Sequence, residues 1–240
     1  MSLSLEYKKL KRTGFILAFI VGGLLSSSIP IVNMAVRSQM YIGIDSSPIQ
    51  ILMDANWQMM TMLNILLLVI GSCLMYQAEY SDNAIQKMRM LPIKEHQLFF
   101  NKTILLALMG ALILILEAIS ITFCSIHWFD ISNNFMLEIA KNFVYAFILI
   151  MPSILLSMFI ASLCTNMWVS LGIGIICVFI ATLLPLDNFV LSIFPFAMPF
   201  QTLIGSAENT IRNMIIASIT ETIIIAIIEV SLLKARRSME

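Results

Sequence analysis

Residues 76–102 read YQAEYSDNAIQKMRMLPIKEHQLFFNK. This is the longest polar run in a very apolar chain, and it lies between two long hydrophobic segments. It holds four of the fourteen Lys and Arg residues: Lys87, Arg89, Lys94 and Lys102. Glu79, Asp82, Gln86 and Arg89 recur at helical spacing, and Ala84, Met88 and Leu91 recur likewise on another side. The pattern predicts a short amphipathic helix continuing from the segment before it. Leu91-Pro92 ends that helix, because proline lacks the backbone donor and disfavours a helical residue ahead of it. Pro92 can then open the next helix, through Lys94, Glu95 and Gln97. The product is a bent helical pair, an elbow. Its mixed charge, with Met88, Met90 and Leu91 exposed, suits a socket on a partner protein. The plainer reading is a loop that is basic only because membrane topology demands it.

The flanking segments settle what the elbow is attached to. The chain has 240 residues, 60% hydrophobic and 12% charged, with a mean hydropathy of +0.94. A soluble domain carries about 25% charged residues, so a water-facing surface cannot be built from this chain. The composition is that of an integral membrane protein, all-α. Net charge is zero and points to no nucleic-acid partner. Cys73, Cys124, Cys164 and Cys177 stand singly in apolar segments with no paired spacing, so we expect buried thiols and no metal site. His96 and His127 are too far apart in the expected topology to act together.

Six apolar segments are expected to span: about Gly14–Val36, Trp57–Tyr76, Thr103–Ile126, Ile139–Ser162, Trp168–Leu186 and Arg212–Leu233. Each would form roughly 28–36 Å of helix against a hydrocarbon core of roughly 30 Å. The first is too long for a signal-peptide core and has no clear cleavage site. Residues 1–12 are basic and mildly amphipathic, which predicts a short interfacial helix. Segment 1–12, the elbow and the tail LKARRSME hold eleven of the fourteen basic residues, all on one face of a six-span topology. Arg37, Lys141 and Arg212 lie at the other face. The positive-inside rule therefore puts both termini and the elbow in the cytoplasm.

Three stretches then face outward: Arg37–Asn56, His127–Glu138 and residues 187–211. The last reads DNFVLSIFPFAMPFQTLIGSAENTI and is broken by Pro195 and Pro199. It is expected to be re-entrant, with short helices dipping into the outer leaflet and protein covering their freed backbone groups. The alternative is an apolar loop on the surface. The outer face is net acidic, with Asp45, Asp54, Asp130, Glu138, Asp187 and Glu208 against three bases. That charge would attract cationic peptides, or it follows simply from the exclusion of bases by topogenesis. No soluble domain is visible, so residues 1–240 form one membrane domain.

Acidic residues followed by a basic residue and Leu-Pro, AEYSDNAIQKMRMLP, between the second and third of six spans, form a familiar arrangement. The chain resembles the permease subunits of ABC exporters that protect bacteria from lantibiotics and related peptide antibiotics. The likeness extends to length, basic N-terminus, elbow, Pro-broken segment and basic tail. It implies that the elbow is the coupling helix, seated in a groove of a cytoplasmic ATPase. Glu79, Asp82, Lys87, Leu91 and Pro92 would be its contacts. It also implies two ATPase copies and a second permease, identical or homologous, in the bacterial cell membrane. No glycine begins a G-x-x-x-x-G-K-[ST] loop, so ATP and Mg would be bound by the partner and no cofactor by this chain.

Of three acids inside expected spans, Glu229 lies close to the cytoplasmic end of the sixth and is assigned no role; the other two are Glu117 in the third and Glu221 near the middle of the sixth. A charge at mid-bilayer costs at least about 2.5–3.5 kcal/mol. These residues would line a substrate path or a permease interface, or form interhelical hydrogen bonds to residues such as Ser120, Thr220 or Thr222. Gly22-Gly23 with Ser26 and Ser27 form a small-residue patch suited to close helix approach, between permeases or within the chain. Other readings are an ABC permease for another amphipathic or lipid substrate, an intramembrane enzyme and a secondary transporter. The enzyme reading lacks an H-E-x-x-H or G-x-S-x-G motif. The secondary transporter would show an inverted repeat.

Overall fold

The computed structural model describes residues 3–10, 13–44, 46–80, 95–129, 134–186 and 188–238. Most of the elbow, with Asp82, Lys87, Leu91 and Pro92, lies outside these residues, as do Asp45, Asp130 and Asp187. The described residues are mostly helical, with no strand among them.

The helices are α1 (Leu3–Leu10), α2 (Phe15–Tyr41), α3 (Pro48–Tyr80), α4 (Glu95–Trp128), α5 (Phe135–Leu163), α6 (Met167–Leu183), the single turn α7 (Phe189–Ser192) and α8 (Glu208–Ser238). A 3₁₀ turn at Met198–Phe200 lies between α7 and α8. Five of the helices, α2, α3, α4, α5 and α8, are long and apolar enough to cross a membrane. The sixth apolar helix, α6, has 17 residues, or about 25 Å at about 1.5 Å per residue.

Helix α3 is the centre of the bundle. It packs on α2, α4, α5 and α6, while α8 lies mainly along α5. The most apolar stretch of α3 is 61% buried and that of α8 only 11%, which makes α8 the outermost long helix.

The largest departure from the sequence reading is at the start of α3. Residues 48–56 were expected to belong to a loop, yet they extend the helix by more than two turns. Pro48 suits a first helical position, and the Ser47 Oγ accepts from the Gln50 backbone at 3.3 Å, which caps the end. Ile49, Leu52 and Met53 are buried against Trp57, Met60 and Phe143, while Asp54 points out. Because this stretch is amphipathic, its mean hydropathy understates its helical fit.

Helix α5 contains Pro152. A proline there cannot donate to the carbonyl four residues back, that of Ile148. Ser218 on α8 supplies the missing donor, with its Oγ 2.7 Å from the Ile148 oxygen. The segment before α8 is treated the same way. Phe196, Ala197 and Met198 are fully buried. The Pro195 carbonyl accepts from Ser153 Oγ at 2.6 Å and the Pro199 carbonyl from Trp57 Nε1 at 3.1 Å. Two backbone groups that its prolines leave outside any helix ladder thus gain side-chain donors from α5 and α3.

Candidate functional site

Glu79 sits in the last turn of α3, where the elbow begins. Its side chain is buried, and its Oε1 lies 3.0 Å from the Nζ of Lys102. Lys102 lies two turns into α4, where the elbow has ended. The pair therefore closes the base of the elbow. Lys102 is itself 2% exposed, and its ammonium also reaches Glu6 Oε2 at 3.4 Å and the Met75 carbonyl at 3.1 Å. It lies 5.5 Å from the centroid of the Tyr76 ring. Glu6 is 1% exposed and holds Lys9 at 3.1 Å through its other oxygen. Two acids and two bases thus neutralise one another, and only Lys9, at 37% exposure, reaches outward.

Helix α1 takes part because Glu6 and Leu10 are one turn apart and both face inward. Gly14, at φ 75°, turns the chain from α1 into α2. The Thr13 Oγ donates to the Leu10 carbonyl at 2.8 Å inside that turn.

A second polar group lies deeper along the same helices. Glu117 of α4 is fully buried. Its carboxylate accepts from Ser26 Oγ of α2 and, at 3.0 Å, from Asn64 Nδ2 of α3. Ser120, one turn further on, donates to the Ser27 carbonyl of α2. Lys102 and Glu117 are fifteen positions apart on α4, as Glu79 and Asn64 are on α3. The antiparallel pair is therefore cross-linked at two levels, about 22 Å apart at about 1.5 Å per residue. Each level draws on the N-terminal segment, α3 and α4.

Residues 2–181 match the family described as ABC-2 family transporter protein. The chain belongs to that family. No curated protein and no solved structure matches it. The match takes in α1 to α5 and nearly all of α6, hence both polar levels, and leaves α7 and α8 outside. Family and helices together make the protein a multi-pass ABC export permease, the membrane subunit that works with an ABC ATPase.

Glu221 of this ABC-2 permease is on α8, away from both levels. Its side chain is half-buried, and its Oε2 has no hydrogen-bond partner among the described residues. Thr220 bonds to the Ile216 carbonyl of its own helix at 2.7 Å, and the Thr222 hydroxyl is likewise without a partner among the described residues. Ile216, Ile219, Ile223, Ile224, Ile227 and Ile228 make the outer face of α8 an exposed apolar surface.

The small-residue patch of α2 packs inside the chain. A side chain at Gly22 would collide with Leu67 of α3, at 2.4 Å, and one at Gly23 would press on Leu116 of α4, at 3.0 Å.

Glu6 and Asn64 were not singled out from the sequence, and Lys102 and Ser26 were named only within the polar run and the small-residue patch. Two of them carry a signal. Asn64 is a lone amide in the apolar run MLNILLLVI, and Lys102 begins the apolar run of the third span with its charge adjacent to hydrocarbon. Glu6 and Ser26 carry none, since a single acid in a basic segment and a serine in a small-residue patch are common.

Proposed function

We propose that this ABC-2 permease expels lantibiotic-type peptide antibiotics from the bacterial cell membrane, with both termini cytoplasmic. Two ATPase copies would bind ATP and Mg, and a second permease, identical or homologous, would complete the pathway. The observation that carries the proposal is the elbow: a polar run between two long apolar helices whose base is closed by a 3.0 Å ion pair. A segment so anchored can carry force from a partner into the bundle. Asp82, Lys87, Leu91 and Pro92 are its proposed contacts with the ATPase, and Glu79 is its buried root. The substrate class rests on the resemblance to immunity permeases.

Residues 187–211 are proposed to re-enter the outer leaflet, supported by the donors that Ser153 and Trp57 offer their carbonyls. Glu221 is proposed to face the second permease. An acid at mid-bilayer on an otherwise apolar outer face is better covered by protein than by lipid. Glu117 is enclosed by α2, α3 and α4, so it is proposed to set the packing of that triad beside the substrate path.

The experiment is protection of a sensitive bacterium. The chain is expressed with its ATPase and second permease, and growth is measured against a cationic lanthionine peptide. The tolerated concentration should rise several-fold, and Asp82→Lys should abolish the gain while the protein stays in the membrane. No gain against such peptides, with export of another amphiphile or lipid instead, would move the assignment to that substrate.

A further inference from the structure

We infer that Lys102 is a positioning residue that locks the N-terminal helix α1 and both roots of the elbow into one mechanical unit. The inference rests on the elbow-coupling reading above and adds α1 to it. Residues 80–101 run between Glu79 and Lys102, so the ion pair ties the two ends of this stretch together. The Lys102 ammonium is faced by two carboxylates, one carbonyl and one aromatic ring. One of those carboxylates, Glu6, comes from α1, which is separated from the elbow along the chain by α2 and α3.

Stability alone does not account for this arrangement. Replacing a buried ion set by apolar side chains is often neutral or stabilising, and Leu10 of α1 already packs in the apolar cluster with Phe15 and Phe99. What the charges add is partner choice. An apolar contact can be made by many side chains, whereas the Lys102 ammonium, with Glu6 at 3.4 Å, Glu79 at 3.0 Å and the Met75 carbonyl at 3.1 Å, holds α1, α3 and α4 at one register. Movement of the elbow then displaces α1 with the two helix ends, and α1 continues through Gly14 into α2, whose Ser26 meets Glu117. The N-terminal helix is thus a moving part of the transporter and not only a surface anchor.

The test uses the full chain assembled with its ATPase in lipid vesicles, with the four native cysteines replaced by alanine. Spin labels are placed at Tyr7 of α1 and Phe100 of α4, which are 43% and 40% exposed. With the cluster intact, the label separation is single and stays unchanged when ATP and Mg are added. Glu6→Gln leaves Lys102 its contacts with Glu79 and Met75, so the base stays closed and the fold is retained. In this variant the separation should spread on ATP addition, and protection against a cationic lanthionine peptide should fall several-fold. The triple variant Glu6→Gln, Glu79→Gln, Lys102→Met removes the three charges centred on Lys102 together and should spread it further. A separation that stays single in Glu6→Gln, or undiminished protection, overturns the inference. Asp82→Lys serves as the control. If it also leaves protection intact, the coupling reading has failed. If it abolishes protection while the Glu6 variant keeps it, the elbow couples without α1.

Discussion

The two polar levels of the α3–α4 pair solve the same problem in different ways. At the elbow end, Glu6, Lys9, Glu79 and Lys102 form a charge-balanced set with one member reaching outward. In the middle, Glu117 has no cation among the described residues; a hydroxyl from Ser26 and an amide from Asn64 donate to it. The difference follows from depth. Near the end of the bundle, long basic side chains can keep a path to water while pairing. Deep in the apolar body, a further charge costs more to bury than a hydrogen-bond donor does. The elbow end is therefore held by ions and the middle by neutral hydrogen-bond donors.

The largest expected effect breaks the ionic level. Lys102→Met alone strands two buried carboxylates and should cost about 3–5 kcal/mol, read as a lower unfolding midpoint in detergent. Neutralising Glu6 and Glu79 in the same chain should restore most of that loss. If it does not, the two levels differ less than their chemistry suggests. At the middle level, Glu117→Leu takes the acceptor from Asn64, while Ser26 keeps the Met60 carbonyl at 3.5 Å, and should cost about 1–3 kcal/mol for the amide left buried. Glu117→Gln, which keeps an acceptor, should cost less than Glu117→Leu in the same measurement. A third substitution is smaller. Ser218→Ala bares the Ile148 carbonyl that Pro152 cannot serve, for about 1 kcal/mol, and should loosen α8 from α5 in hydrogen exchange. Smallest in stability is Glu221→Ala, which should leave the isolated subunit as stable as before yet change protection without loss of assembly. Failure of assembly would assign Glu221 a structural place in the complex.

Much of the fold was legible because lipid imposes simple demands on sequence. A helix that crosses hydrocarbon must satisfy its own backbone and be apolar for about twenty residues. The observed helices accordingly fall on the six apolar runs, with α6 ending at Leu183, three residues before the expected Leu186. The amphipathic entry to α3 was missed because Asp54, Gln50 and Asn56 lower its hydropathy, although Pro48 and the Ser47 cap mark the helix start. The candidate site was legible only in part. Glu117 could be picked out as an acid in an apolar run and Glu79 as part of the elbow, but their partners could not, since Lys102 is 23 positions from Glu79 and Ser26 is 91 from Glu117.

The amino-acid sequence by itself determined that this is a helical membrane protein with a polar elbow between two long apolar runs. Composition and the distribution of charge are local properties, and the bilayer reads them segment by segment. Only the tertiary structure decided that one lysine joins the N-terminal helix to both ends of that elbow, and that a buried acid finds its donors on two other helices. A buried charge is tolerated only where partners converge in space, and convergence is a property of how helices pack.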